Sequence, residues 1–419
     1  MPGRLSYSGT EKKLVIAFDI GTTFSGVSYA TSLWASIEDQ IEFVLSHPNS
    51  WQGAEQVKMC KAAALAGLIQ NTSKGWAQIH FITEGEAGLH FCIQHGVTTN
   101  AIKDGKGVLI VDAGGGTIDL SAYAMSVSNT SFQEIAPVKC MFEGSIFVDG
   151  HARNFLQAHL SNSKFIHDFE QITHAFGNTT KMRFKIGIRS GQLKISGHII
   201  AKFFEKAISC IKEAITEQSS NALLEIKAVF LIGGFAASDW LFSQLKDFLE
   251  PLGLDFCRPD SHLNKAVPDG AISFILDHYV TARVSKYTYG VEQHIPFNET
   301  DREHLLRSSS RFYDASGQVC LSKSFSVILS KNVQVREVQE FRRSYCEDQP
   351  NPSDFGDELK NVIMRYDGPS ADPRWTDMQN GLFYALRFLS LVKMEFGRII
   401  CAVVYCTCAN HQTVTSPPA

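Results

Sequence analysis

Val108-Leu-Ile-Val-Asp112-Ala-Gly114-Gly115-Gly116-Thr117-Ile-Asp119-Leu-Ser-Ala-Tyr123 decides the reading of this chain, because it has a twin. Leu14-Val-Ile-Ala-Phe-Asp19-Ile-Gly21-Thr22-Thr23-Phe-Ser-Gly-Val-Ser-Tyr29 repeats the order of an apolar run, an Asp, a Gly/Thr turn and a second strand-like run. A turn poor in side chains lets backbone N–H groups approach an anion closely. An Asp at the end of each strand suits a hydrated Mg²⁺ held beside phosphates. Two such hairpins facing each other are expected to grip one nucleotide from both sides.

Working outward, strands alternate with helices. Ile41–Ser46 reads as a strand, the Ala-rich Gln52–Leu68 as a helix, Ala77–Thr83 as a strand and Glu84–Ile93 as a helix. Ala201–Gln218 is amphipathic, and its stripe of Phe203, Phe204, Ala207, Ile208 and Ile211 has core spacing. Ala228-Val-Phe-Leu-Ile-Gly233-Gly234-Phe235-Ala-Ala-Ser238 reads as a buried strand and a Gly-Gly turn, with Ser238 capping a helix to about Leu249. Asn264–Val284 is read as a further helix. The alternation predicts an α/β fold. Beyond Ser285 the pattern turns to period two at Lys286–Gly290, Ser324–Leu329 and Val333–Tyr345, which predicts a separate β-rich segment.

With 419 residues, two or three domains are expected, and a formal charge of −4 provides no field for nucleic acid or an acidic membrane. Ten scattered cysteines form no CxxC pair, and the polar start lacks a signal-peptide apolar core, so a reducing cytoplasmic setting is expected. The apolar run Ile399–Ala409 is too short for a membrane span of ~20 residues; a buried strand or a hydrophobic tail is expected there.

Four motifs in order resemble the actin-like ATPases, and within them the 70-kDa heat-shock proteins, in particular the divergent fungal branch. Phe18–Thr23 resembles the first phosphate loop, Phe81-Ile-Thr-Glu84-Gly-Glu-Ala87 the connecting segment, Ile110–Thr117 the second phosphate loop and Phe230–Phe235 the adenosine motif. The resemblance implies two ribonuclease-H-like lobes, lobe I at about 12–106 and lobe II at about 107–262, with a helix over 264–284 returning to lobe I. A partial substrate-binding β-sandwich would occupy 285–377, and 378–419 is left unassigned. The implied ligands are ATP or ADP with Mg²⁺; the implied partners are unfolded or apolar peptide segments and co-chaperones.

The same resemblance implies roles. Thr22 and Thr23, after Gly21, would bind phosphate oxygens, and Gly114, Gly115, Gly116 and Thr117 would cradle phosphates from the other side. Asp19 and Asp112 would hold waters of the Mg²⁺ shell. Glu84 would order the attacking water, with Glu86 as the alternative. Gly144 and Ser145 would touch ribose, Lys181 would stack on adenine, and Gly233, Gly234 and Phe235 would leave room for the adenosine. For Lys181 the plain reading of the residue is a solvated surface lysine. His47, His80, His90 and His95 read as structural or exposed.

The chain also departs from the pattern. Asp19 and Asp112 stand about half as far apart as the family's two loops do, and Thr31–Asp39 follows β-like Tyr29-Ala30 at once, resembling a later helix. A third strand and an outer subdomain carrying a hydrolytic lysine have no counterpart. A smaller gap follows Phe184–Ile188, and Arg283–Tyr289 stands in place of the acidic interdomain linker. Three functions stay open: a heat-shock-70-like chaperone ATPase, a non-hydrolysing nucleotide-binding scaffold or truncated product, and a small-molecule kinase of the same superfamily.

Overall fold

Each Gly/Thr turn joins two antiparallel strands in the computed structural model of the chain. It describes residues 14–31, 41–51, 53–96, 100–126, 131–183, 195–259, 265–277, 279–314, 316–336, 339, 341–343, 363–370, 373–377, 382–386, 392–395 and 398–404. The architecture is mixed α/β, in two compact units that divide between Thr281 and Ala282.

The first unit begins with β1 (Leu14–Ile20), β2 (Ser25–Thr31), β3 (Ile41–His47), α1 (Gly53–Leu65), α2 (Ser73–Trp76), β4 (Ile79–Thr83), α3 (Glu84–Gln94) and α4 (Asn100–Lys103). β1 pairs antiparallel with β2 and parallel with β3, which is parallel to β4, giving a sheet in the order β2-β1-β3-β4. Helix α1 stops earlier than its composition suggests, because Gly67 takes a positive φ and Leu68 N–H returns to the Ala63 carbonyl. The helix read over Thr31–Asp39 lies outside the described residues, apart from Thr31, which ends β2.

The unit continues with β5 (Gly107–Ala113), β6 (Ile118–Met125), β7 (Phe132–Glu134), β8 (Lys139–Met141), α5 (Ser145–Leu160), α6 (Phe169–Ala175), α7 (Lys181–Arg183), α8 (Gly197–Asn221), β9 (Ile226–Ile232), α9 (Asp239–Leu249), β10 (Asp255–Cys257) and α10 (Ala266–Asp277). Within this unit the second sheet runs β10-β9-β5-β6-β7, with β8 also on β6. It repeats the plan of the first sheet: β5 pairs antiparallel with its hairpin partner β6 and parallel with β9. The gap noted after Phe184–Ile188 lies outside the described residues.

The helix expected over 264–284 is corrected. Helix α10 ends at Asp277, and Val280–Val284 forms strand β11, whose Val280, Ala282, Arg283 and Val284 are buried. Branched Val280, Thr281 and Val284 suit a strand better than a helical turn.

Helices cover both sheets. The Phe203/Phe204/Ala207/Ile208/Ile211 face of α8 is core, packed with Leu241, Leu245 and Leu249 of α9 against β5, β6 and β9. On the opposite face lie Leu89 and Phe91 of α3. Helices α3 and α10 lie between the two sheets, α10 on β1–β3 and α3 on β5 and β6. Close approach is a glycine effect: a Cβ on Gly88 would meet Ile232 Cδ1 at 2.1 Å, and one on Gly270 would meet the Ala87 carbonyl oxygen at 1.8 Å. Helix α1 covers β3 and β4 through Cys60 and Ala63, while Val27 and Tyr29 of β2 stay 57% and 66% exposed.

In the second unit, β11 residues Ala282–Val284 pair with β15 (Gln334–Arg336). β12 (Thr288–Pro296), β13 (Arg311–Tyr313), β14 (Val319–Leu329), β17 (Ile363–Asp367) and β18 (Leu382–Leu386) form an antiparallel sheet in the order β13-β14-β12-β17-β18. β16 (Phe341–Arg343), β19 (Val392–Glu395) and β20 (Arg398–Val404) make a smaller one. The described part of the apolar Ile399–Ala409 run is therefore strand; 405–409 lie outside the described residues. The polar helix α11 (Arg302–Leu306) carries Glu303, whose carboxylate accepts from the buried Trp375 indole at 2.6 Å.

Candidate functional site

The two strand-end turns are closed by the same bond. Gly21 N–H donates to the Phe24 carbonyl at 3.1 Å, and Gly114 N–H to the Thr117 carbonyl at 2.9 Å. A Cβ on Gly21 would meet the Phe24 oxygen at 2.5 Å, so the tight return needs glycine there. The turns face and touch one another: a Cβ on Gly115 would lie 2.4 Å from Thr23 Oγ1, and one on Gly116 2.5 Å from Thr22 Oγ1.

Behind the turns lie the acids. Asp19 is the last residue but one of β1, and Ser46 Oγ, at the same place in β3, donates to its Oδ1 at 2.8 Å. Burial pushes the Asp19 carboxyl up and Ser46 opposes that. Asp112 is the last residue but one of β5 and is 3% exposed; its Oδ2 is buried with no hydrogen-bond partner among the described residues. Glu84 opens α3 just after Thr83, whose hydroxyl caps the helix by accepting from Glu86 N–H. Burial foremost, then Asp119, Asp112 and Asp19, hold Glu84 well above the usual carboxylate range. Burial, then Asp119 and Asp19, do the same to Asp112. Glu84 thus shares a field with the aspartates.

Asp119 is the site residue that sequence reasoning missed. It lies on β6 directly opposite Asp112 in the hairpin register and is fully buried. The signal was present, since Asp112 and Asp119 stand symmetrically about the glycine turn, and like charges opposed across strands are unfavourable unless something compensates them.

Other candidates are placed differently. Gly144 precedes α5, and its N–H with those of Ser145 and Ile146 donates to the Gly116, Gly114 and Gly115 carbonyls at 3.2, 3.1 and 3.0 Å. The start of α5 thus clasps the glycine turn from behind. Gly233 has φ +92°, and a Cβ there would strike Asp112 Oδ1 at 2.2 Å, so glycine lets the β9 turn rest against that carboxylate. Gly234 borders open space. The Phe235 ring goes elsewhere, into the core beside Phe204.

Lys181 is not a solvated surface lysine. It is 6% exposed, and its Nζ binds Asp149 Oδ2 of α5 at 2.6 Å and the Ser145 carbonyl at 3.4 Å. Ser238 Oγ donates to the Lys181 carbonyl, so Ser145, Lys181 and the Gly233–Ser238 segment converge although distant in sequence. The histidines serve structure: His47 meets Gln56, His80 meets Glu42, His90 stacks on Tyr279 and His95 on Phe91.

Several carboxyl groups in a space of low dielectric leave a demand for positive charge. Among the described residues no group of three or more His, Cys, Asp or Glu is placed to ligate one metal ion. A cation held through water fits this set, with Asp112 Oδ2 as a buried acceptor still without a donor. No described helix is long and apolar enough to cross a membrane. Neither a protein-family model nor a curated protein matches the chain.

Proposed function

We propose that the first unit is an actin-like nucleotide-binding domain that takes Mg-ATP at the two opposed turns, as part of a heat-shock-70-like chaperone protein. The observation that carries this reading is the meeting of two copies of one strand–Asp–turn unit over a shared acid cluster, with Asp112 Oδ2 lacking a donor. Bound Mg²⁺ would supply positive charge against both phosphates and carboxylates. Asp19 and Asp112 would hold its water ligands, and Thr22, Thr23 and Gly115–Thr117 would offer N–H groups to the phosphates, the Gly114 N–H being taken up in closing its turn. Glu84 would orient an attacking water. Because Thr23 and Gly115 touch, binding would part the turns. The second unit would offer its antiparallel sheet to an apolar peptide.

The reading of a scaffold without turnover is favoured by one specific feature. Among the described residues β2 ends its sheet with Val27 and Tyr29 uncovered, where a closing wall would be needed to exclude water. Thermal shift with ATP and GTP, each with Mg²⁺ and with EDTA, tests the binding common to both readings. A rise confined to ATP with Mg²⁺ is expected from mass action on the native state. Equal shifts without metal, or none with any nucleotide, would refute it.

A further inference from the structure

Pro48, Asn49, Ser50 and Trp51 form a turn between β3 and α1, closed by Trp51 N–H to the Pro48 carbonyl at 3.0 Å. Its apex belongs to the first sheet by sequence, yet it is bonded into the second. Asn49 N–H donates to Asp119 Oδ1 at 2.7 Å. Asn49 Nδ2 lies 3.1 Å from the Leu120 carbonyl, 3.0 Å from Ser121 Oγ and 3.3 Å from the Lys139 carbonyl. An amide NH₂ has two protons, so these three acceptors share them. Asn49 itself is 6% exposed. Next to it, Ser50 meets the Cys140 thiol of β8, whose pKa burial and then Asp119 push up to about 12. Helix α3 closes the other side, where a Cβ on Gly85 would fall 2.2 Å from Ser121 Oγ and 3.5 Å from Asn49 Nδ2.

We infer that Asn49 is a positioning residue, a bolt between the two sheets that holds the Asp119 carboxylate in the acid cluster and gives the opposed turns a fixed point to part against. The side chain anchors the turn on β6 and β8; the backbone N–H, carried with it, holds Asp119. Buried hydrogen bonds of this kind are costly to break one-sidedly, since Leu120 and Lys139 would each keep a carbonyl and lose a donor. For its ligand this inference rests on the Mg-nucleotide reading above; for its geometry it does not.

The test uses the full chain and two variants, Asn49→Ala and Ser121→Ala. Hydrogen–deuterium exchange is read on peptides covering residues 48–51 and 139–141, with β9 as internal reference. Asn49→Ala should speed exchange of the first two by about tenfold and leave β9 unchanged, a scale set by the loss of one or two buried hydrogen bonds. Exchange equal to wild type, or accelerated equally everywhere, would overturn the bolt. Calorimetric titration with ATP then compares Mg²⁺ with EDTA. The Mg²⁺-dependent gain in affinity should shrink about tenfold in Asn49→Ala and by less in Ser121→Ala. A merely structural Asn49 would lower the melting temperature and leave that gain intact, which would overturn positioning. If Asn49→Ala does not fold, Ser121→Ala carries both readouts. If the wild type binds no nucleotide, the nucleotide reading falls and exchange alone decides the bolt.

Discussion

Thr23 and Gly115 are in contact: a Cβ added to Gly115 would fall 2.4 Å from Thr23 Oγ1, the two residues coming from the two copies of the same turn. A side chain cannot be added on one turn without displacing the other. Gly115 is not among the positive-φ glycines, so its requirement comes from this neighbour rather than from backbone strain.

Gly115→Val should therefore keep the fold, because Thr22 and Thr23 are exposed and can move, and should abolish Mg-ATP binding. Overpacking here is expected to cost about 1–3 kcal/mol. Thermal shift with and without Mg-ATP checks both halves. Full nucleotide affinity in the variant would show the turn to be purely structural.

Asp112 gives a pH prediction with a definite sign. In the unfolded chain it titrates in the ordinary carboxylate range; in the metal-free fold, burial first and then Asp119 and Asp19 hold it well above that. The folded state keeps the proton longer, so stability is highest below the ordinary carboxylate range. It falls as pH rises from there through the folded value, and the loss is complete above it. Asp112→Asn removes this penalty. Its metal-free melting temperature should exceed that of wild type at pH 7 by a few degrees, on the order of 1 kcal/mol, and the gap should close near pH 4. A wild type that is the more stable at pH 7 without metal would contradict the buried charge.

Two glycines in helices should answer the same substitution with opposite signs. Gly150 of α5 has nothing within 4 Å of an added Cβ, so Gly150→Ala should stabilise by about 0.5–1 kcal/mol through helix propensity. Gly270 of α10 would bring its Cβ 1.8 Å from the Ala87 backbone oxygen, and backbone cannot rotate aside. Separating α3 from α10 is expected to cost about 1–3 kcal/mol, more than the propensity gain. Urea denaturation of both variants measures the two signs; a stabilised Gly270→Ala would mean that the helix pair is looser than described.

Turnover should be very poor even if ATP binds. The hydrolytic lysine of the 70-kDa heat-shock proteins, which the chain resembles, has no counterpart in the sequence, and among the described residues nothing covers Val27 and Tyr29 of β2, which stay exposed. Loss of one well-placed charge-stabilising group typically costs a factor of ~10²–10³ in rate. Steady-state phosphate release should stay close to that of the Asp112→Asn blank. Release at the rate of a full-length 70-kDa heat-shock protein assayed alongside would refute this.

Local features were readable without coordinates. Apolar runs of strand length, the Gly/Thr turns with Asp19 and Asp112 beside them, the α8 stripe and the Ser238 cap are properties of neighbouring residues, and Ser238 Oγ does accept from Leu241 N–H at 3.4 Å. The misread stretch around Val280 was local too, but a short apolar run fits helix and strand equally well until β-pairing decides.

What the sequence by itself determined is therefore the order of strands and helices and the places where the chain must turn tightly, because period, branching and glycine act over a few residues. Only the tertiary structure decided which of the charged and polar residues meet. Asp119 joins the cluster through hairpin register, Asn49 reaches it from the other sheet, Lys181 is buried by Asp149, and Phe235 turns away into the core. Those outcomes depend on burial and on sums of charge over groups far apart in the chain, quantities that exist only once the two sheets and the helices between them are packed.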